Sequence, residues 1–210
     1  MFGTRHTVIF RTGSDVATWL EVFFDEEYKL PNNFTPKTMI DLGANVGFSS
    51  LYFKLRNPSL QLVAVEPDPN NIKLLHLNLA DTQNVQIIEG AVSSQEGNEK
   101  FYIASKQGMS SSFFVPRQKS ETRNVTTYTF DSLLSFLNWQ EVDLVKFDIE
   151  GAEWKVFEKA STRRVNILIG EYHEYITDQK TEEFIKLFPH HTGKIHRIAD
   201  KRYIVVLIRK

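Results

Sequence analysis

Met39-Ile-Asp-Leu-Gly-Ala-Asn-Val-Gly-Phe-Ser-Ser50 decides the fold. Apolar residues lead into Asp41, a glycine-rich turn runs from Gly43 to Gly47, and a helical pattern follows from Val46 to about Leu55. A strand, a tight turn and a helix in that order form the seat of a bound nucleoside in α/β folds. Just beyond, Gln61-Leu-Val-Ala-Val-Glu66 is a second short apolar run, and it ends on a carboxylate.

Within the turn, Gly43 permits close approach of the backbone to a ligand, and the small Ala44 leaves room beside it. The amides around Asn45 to Gly47 are expected to meet the ligand's polar tail, with Asp41 accepting a bond from an amino group. The glycine spacing is GxxxG, which departs from the dinucleotide GxGxxG and lacks the lysine and hydroxyl residue of a phosphate-cradling loop. Glu66 lies 25 residues after Asp41, close to the spacing of the acid that grips ribose hydroxyls. Its charge makes it a poor neighbour for a 2′-phosphate. Glu89 to Val92 follow a third strand, and Ala91 and Val92 are expected to line an adenine. A zwitterionic tail, a ribose and an adenine together describe S-adenosylmethionine.

Working outward, the α/β rhythm continues on both sides. Strands are expected at Thr38–Leu42, Leu62–Val65, Val85–Ile88, Val142–Phe147 and Val165–Gly170, with His191–Ile198 and Tyr203–Ile208 as a terminal hairpin. Helices are expected at Pro69–Leu79, Asp131–Leu137, Ala152–Lys159 and Asp178–Phe188. Ile72, Leu75 and Leu79 share one helical stripe and are assigned to packing. Between them, Glu99–Ile103 and Asn124–Thr129 read as extended and Gly108–Ser112 as a loop, an elaboration near the active face. Residues 1–36 form a lead-in to the domain at 37–210: a short strand at Thr7–Phe10, then a helix from Asp15 to Tyr28. Ser14 is its expected N-cap, with Val16, Trp19, Leu20 and Phe23 or Phe24 facing inward. The fold class is therefore a doubly wound α/β sheet, mixed and seven-stranded, ending in an antiparallel pair.

Bulk properties narrow the function. The chain has 210 residues, enough for one substantial core, and 25 Lys and Arg against 26 Asp and Glu. Such a balance gives no general attraction for nucleic acid or anionic membrane. With no cysteine, thiolate catalysis and cysteine-held metals are excluded. The N-terminus does not read as a signal peptide and no apolar run approaches bilayer length, so the expected location is cytoplasmic. The oligomeric state is left open.

A second constellation lies in Glu141-Val-Asp-Leu-Val-Lys-Phe-Asp-Ile-Glu-Gly-Ala-Glu-Trp154. Lys146, Asp148, Glu150 and Glu153 surround a strand end where ligand crevices form. Asp148 could orient an acceptor hydroxyl, Lys146 could pair with a carboxylate or a substrate anion, and an ion-pair and capping network would account for the same residues. Glu171-Tyr-His-Glu-Tyr175 adds His173 as a candidate base, oriented by Glu171 or Asp148. A divalent metal could draw on Asp148, Glu171 and His173, but no compact motif fixes such a set and no metal ligands are assigned.

These motifs resemble the FkbM-family methyltransferases. The resemblance runs from the Ser14-Asp15 to Tyr28 lead-in through Met39–Gly47, Val65-Glu-Pro-Asp68 and Phe130-Asp-Ser-Leu-Leu134 to Val145-Lys-Phe-Asp-Ile-Glu-Gly-Ala-Glu153 and Ile169-Gly-Glu171. It implies S-adenosylmethionine-dependent transfer, usually to hydroxyls of sugars, glycans or natural products. It further implies cofactor binding by Asp41, Gly43, Asn45, Gly47 and Glu66, and an active-site neighbourhood at Asp148, Glu150 and Glu171. A binding module that has the pocket without the chemistry is the alternative of a different class.

Overall fold

The computed structural model describes residues 6–104 and 120–210. After helix α1 (Gly13–Phe23), the chain alternates β1 (Thr38–Leu42), α2 (Phe48–Arg56), β2 (Gln61–Glu66), α3 (Pro69–Asn78) and β3 (Val85–Glu89). The short β4 (Ala91–Val92), β5 (Gly97–Ala104) and β6 (Ser120–Tyr128) follow, then α4 (Phe130–Phe136), β7 (Val142–Phe147), α5 (Glu153–Phe157) and β8 (Val165–His173). The chain closes with α6 (Glu174–Thr177), α7 (Thr181–Lys186), β9 (His191–Ala199) and β10 (Arg202–Arg209).

The seven-stranded sheet has the order β3-β2-β1-β7-β8-β10-β9. Its first five strands run parallel, and β10 pairs antiparallel with both β8 and β9. The chain leaves β1 toward β2 and β3, then returns to β7 on the other flank. The strand order therefore reverses between β1 and β7, and their carboxyl ends open a crevice there.

Side chains of β1 alternate across the sheet. Ile40 and Leu42 join a core with Val65, Val145, Phe147, Phe157 and Phe184, while Met39 joins Leu51, Leu62, Leu75, Leu144 and Ile169 on the opposite face. Both faces are covered by helices, which is why the central strands read as unbroken apolar runs. Ile72, Leu75 and Leu79 are all buried. The elaboration forms a separate three-stranded sheet in the order β4-β6-β5. The loop expected at Gly108–Ser112 lies outside the described residues. Among the described residues no helix is long and apolar enough to cross a membrane.

Several local expectations are corrected. Thr7–Phe10 is not a strand, and the Ile9 amide donates to the Asn78 side chain at 2.7 Å. Helix α1 stops at Phe23, short of Tyr28, and its N-cap is Thr12, not Ser14. Its inward face is partly rotated from the expected one: Asp15 and Val22 are buried and Phe23 packs on the core beside Trp19, as expected of those two, whereas Val16, Leu20 and Phe24 are 42%, 44% and 81% exposed. Asp15 fixes that rotation by accepting from the Arg11 amide, Nε and Nη2 at 2.7, 3.1 and 3.0 Å. The helix expected at Asp178–Phe188 begins only at Thr181, because Asp178 takes a left-handed conformation with φ 54°. Strand β8 continues past Gly170 to His173, which carries Glu171 and His173 onto the sheet.

Candidate active site

The turn after β1 is built for tight approach. Gly43 has φ 75°, and a Cβ there would lie 1.9 Å from the Asp148 carbonyl oxygen. Only glycine lets the ends of β1 and β7 run this close. Gly47 has φ 93° and forms the N-cap of α2, against Leu75. Four of the turn's amides are committed within the fold. Those of Gly43 and Ala44 both donate to Val65 O at 3.0 Å, Asn45 to Glu66 Oε2 at 2.8 Å and Gly47 to Ala44 O at 2.8 Å. The expectation that amides from Asn45 to Gly47 receive the ligand's tail therefore fails at both glutamate-bound Asn45 and Gly47.

Asp41 is fully buried beneath the turn rather than facing a ligand. Its Oδ2 accepts from the Ser49 and Ser50 hydroxyls at 2.6 and 2.7 Å, and Lys146 Nζ stands 3.2 Å from Oδ1. Lys146 also donates to Gly43 O at 2.9 Å. Burial opposes its charge, but the Asp41 and Asp148 carboxylates outweigh it and hold the ammonium above its ordinary pKa. Lys146 thus ties β7 to the turn and does not reach the crevice. Ala44 and Val92 likewise pack into the two cores.

The crevice is lined by Gly43, Asn45, Glu66, Asn71, Gly90 and Ala91 on one side, and by Asp148, Glu150, Glu171 and Arg202 on the other. Phe101 of the smaller sheet contributes to the wall, as do Arg11, Thr18, Glu21, Glu27 and Tyr28 of the lead-in. Glu66 accepts from the Asn45 amide on Oε2, and from the Asp68 amide and Asn71 Nδ2 on Oε1 at 2.9 and 3.0 Å. A carboxylate has about four lone-pair positions, so Oε2 keeps one for a ligand hydroxyl. Burial nevertheless lifts the Glu66 pKa to about 7 against these donors.

Six carboxylates, Glu21, Glu27, Glu66, Asp148, Glu150 and Glu171, face the crevice with two arginines. Both arginines are engaged: Arg11 with Asp15, and Arg202 in a two-pronged pair with Glu171, with Nη2 to Oε2 at 2.9 Å. Acidic groups therefore dominate the lining, several of them with a raised pKa. Burial, with Glu171 and Glu21 nearby, raises the Glu27 pKa to about 7.

At the far wall, four carboxylates converge on His173, itself 2% exposed. Its Nδ1 donates to Glu153 Oε1 at 2.9 Å, while Nε2 lies 3.2 Å from Glu171 Oε1, 3.6 Å from Glu150 Oε2 and 3.9 Å from Asp148 Oδ1. Burial works against the imidazolium, but Glu153 and Glu171 prevail and push its pKa up to about 12. With Glu153 and Glu171 on its two nitrogens, His173 holds its proton in the metal-free chain, which argues against the expected base role there. Burial resists the Glu171 charge too, yet His173 and Arg202 hold its pKa at about 2. Asp148 is pushed the other way, well above the carboxylate range, by burial and the neighbouring Glu171 charge.

Sequence reasoning thus brought Gly43, Asn45, Glu66, Ala91, Asp148, Glu150 and Glu171 to one crevice, and placed Asp41, Ala44, Lys146 and Val92 there although they support it from behind. It missed Arg202, Glu27 and Asn71. Arg202 is reached only through the register of β10, which sets it opposite His173. The acidic Asp25-Glu-Glu27 run was the one available signal for Glu27.

A family model described as the methyltransferase FkbM domain matches residues 41–202. The chain is 31% identical to methyltransferase sdnD of Sordaria araneosa over 105 residues, covering 48% of this chain and 40% of that protein. It is 26% identical to methyltransferase 1 of Beauveria bassiana over 158 residues, covering 65% of this chain and 63% of that protein. The chain therefore spans less than two thirds of either relative. An O-methyltransferase from Bacillus cereus, solved in complex with S-adenosylhomocysteine, shares the fold with a TM-score of 0.52 at 12% identity, covering 96% of this chain and 94% of that one.

Proposed function

Because the chain belongs to the FkbM methyltransferase family, we propose that it is an enzyme that transfers the methyl group of S-adenosylmethionine to a hydroxyl of a sugar, glycan or small metabolite. The observation that carries this reading is the acidic crevice at the β1/β7 crossing, whose two arginines are already paired. A lining rich in carboxyl groups with no unpaired arginine among its residues suits a ligand bearing sulfonium and ammonium groups better than a pyrophosphate or a nucleic-acid backbone. The free lone pair on Glu66 suits a ribose hydroxyl, and the wall at Gly90 and Ala91 suits the flat adenine.

When bound, S-adenosylmethionine supplies an electrophilic methyl on a positively charged leaving group. The chain's part is to align the acceptor oxygen and to remove its proton. Glu27 is the carboxylate for that task. Its side chain faces the crevice, makes no hydrogen bond or ion pair among the described residues, and has its pKa raised to about 7. Glu27 would take the acceptor O–H proton while the acceptor oxygen is held toward the methyl that bound S-adenosylmethionine would supply. Acidic walls at Glu21 and Glu150 favour neutral or cationic acceptors over phosphorylated ones.

Isothermal titration with S-adenosylhomocysteine and with NAD tests the cofactor. Saturable binding of the first and none of the second is expected, and the reverse order would overturn the reading. Glu27→Gln tests the base: turnover on a hydroxylated acceptor should fall by about two orders of magnitude or more, with S-adenosylhomocysteine affinity retained. Unchanged turnover would remove Glu27 from the mechanism.

A further inference from the structure

The histidine cluster contains more acid than the methyl transfer uses. Asp148, Glu150, Glu153 and Glu171 surround one imidazole, and the only other partner described for Glu171 is Arg202. The imidazole is oriented as a ligand. Glu153 is wholly buried, and its Oε1 receives Nδ1 at 2.9 Å and the Gly151 amide at 3.1 Å. A carboxylate holding one ring nitrogen in this way fixes the tautomer and turns the other nitrogen toward a metal.

Nε2, whose nearest carboxylate oxygen is Glu171 Oε1 at 3.2 Å, also faces Glu150 Oε2 and Asp148 Oδ1, and an ion bound there displaces its proton. Nε2 and these last two oxygens lie within 4.8 Å of one another, and the group is the one such set among the described residues. Two ligands about 2.1 Å from a common ion stand about 3.0 to 4.2 Å apart, depending on the angle between them. The observed 3.6 and 3.9 Å from Nε2 fall inside that range. An independent sign comes from Asp148 Oδ1, which is sealed from solvent and meets no hydrogen-bond donor. A buried acceptor left in that condition calls for a cation or an ordered water.

We propose that Asp148, Glu150 and His173 Nε2 bind one divalent cation at the acceptor wall of the crevice. One imidazole and two carboxylates suit Mn2+ and similar ions, and three protein ligands leave coordination positions open. Asp148 and Glu150 both line the crevice, so the open positions face the space left for the acceptor. The site itself stands whether or not the chain transfers methyl groups. Its role in holding the acceptor oxygen and favouring its alkoxide form rests on the proposed function. Glu171, fixed by Arg202, stays beside the site as an acceptor for a metal-bound water.

Mn2+ titration of the cofactor-free chain, followed by paramagnetic resonance of the free ion and by calorimetry, tests the site. One ion per chain is expected, with affinity at least tenfold weaker in both Asp148→Asn and Glu150→Gln. These two substitutions keep shape and lie at the crevice edge, so circular dichroism should show an unaltered fold. No binding at millimolar Mn2+, or binding that neither variant weakens, would mean that the imidazolium alone balances the cluster and would overturn the proposal. Titration with S-adenosylhomocysteine without metal separates the two readings. Its binding without Mn2+ binding sinks only the cation site, and the opposite pattern sinks only the transfer.

Discussion

Alanine at Gly43 and alanine at Gly47 should have very different consequences, although the two glycines bracket one turn and both have positive φ. At either position an L side chain in the left-handed region costs about 1 kcal/mol. The surroundings then separate them. At Gly47 the new methyl would meet Leu75 Cδ1 at 2.8 Å, the end of a side chain that can rotate away. At Gly43 it would stand 1.9 Å from the Asp148 carbonyl oxygen and 2.9 Å from its carbon, both backbone atoms. Relief there needs a shift of more than an ångström between β1 and β7. That shift strains the bond from the Asp148 amide to Leu42 O, now 3.0 Å, and the Lys146 bond to Gly43 O. Adding overpacking of about 1–3 kcal/mol and one weakened hydrogen bond of about 1 kcal/mol gives about 3–5 kcal/mol for Gly43→Ala. Gly47→Ala should cost about 1–2 kcal/mol. For a domain of this size, each kcal/mol moves Tm by about 2–4 °C. Thermal unfolding should therefore place Gly43→Ala about 6–20 °C below the parent and Gly47→Ala about 2–8 °C below. Equal losses, or a Gly43 variant within about 2 °C of the parent, would refute the close-approach argument.

Glu66→Ala removes the ribose acceptor and the carboxylate that holds the Asn45 amide, so S-adenosylhomocysteine affinity should fall about 30- to 150-fold, equivalent to about 2–3 kcal/mol. Calorimetry checks it, and an unchanged Kd would end the ribose assignment. Stability of the unliganded chain should fall as pH rises from about 5 to 7, in the range where the carboxyls of Glu66 and Glu27 titrate. Each has a folded pKa raised from 4.5 to about 7, so the folded state holds protons that the unfolded chain has already released. The Glu66 shift alone corresponds to about 3 kcal/mol. On the acid side Glu171, held at about 2, contributes stability above its unfolded value that is lost as pH falls toward 2. Urea unfolding at stepped pH reads both limbs, and stability that climbs between pH 5 and 7 would contradict the carboxylate assignments.

Met39–Gly47 and Gln61–Glu66 were legible because burial on both faces leaves continuous apolar strands and because a reversal this tight demands glycine. Those signals are local. The errors arose where a residue's partner is distant in the chain. Lys146 looked available for a substrate, but the adjacency of β1 and β7 brings it to Gly43 O across 103 positions. His173 looked like a base until Glu153 and Glu171 were seen on its two nitrogens. The amides of the turn looked free because nothing in the sequence says that the Glu66 side chain folds back onto Asn45. Helix α1 failed for a different reason, since an amphipathic pattern assumes that apolar residues face inward. Here the Arg11–Asp15 pair and Val22 are buried, Trp19 and Phe23 still pack inward, and Val16, Leu20 and Phe24 face out.

The wall supplied by the lead-in has a consequence for engineering. Arg11, Thr18, Glu21, Glu27 and Tyr28 all precede residue 41, where the family match begins, yet all five line the crevice. The residues of the turn and those of this rim therefore belong to different stretches of chain. Tyr28 is buried in the core, so substitutions at the exposed Glu21 and the half-buried Thr18 are the ones expected to recut that entrance while the Gly43–Glu66 turn stays intact.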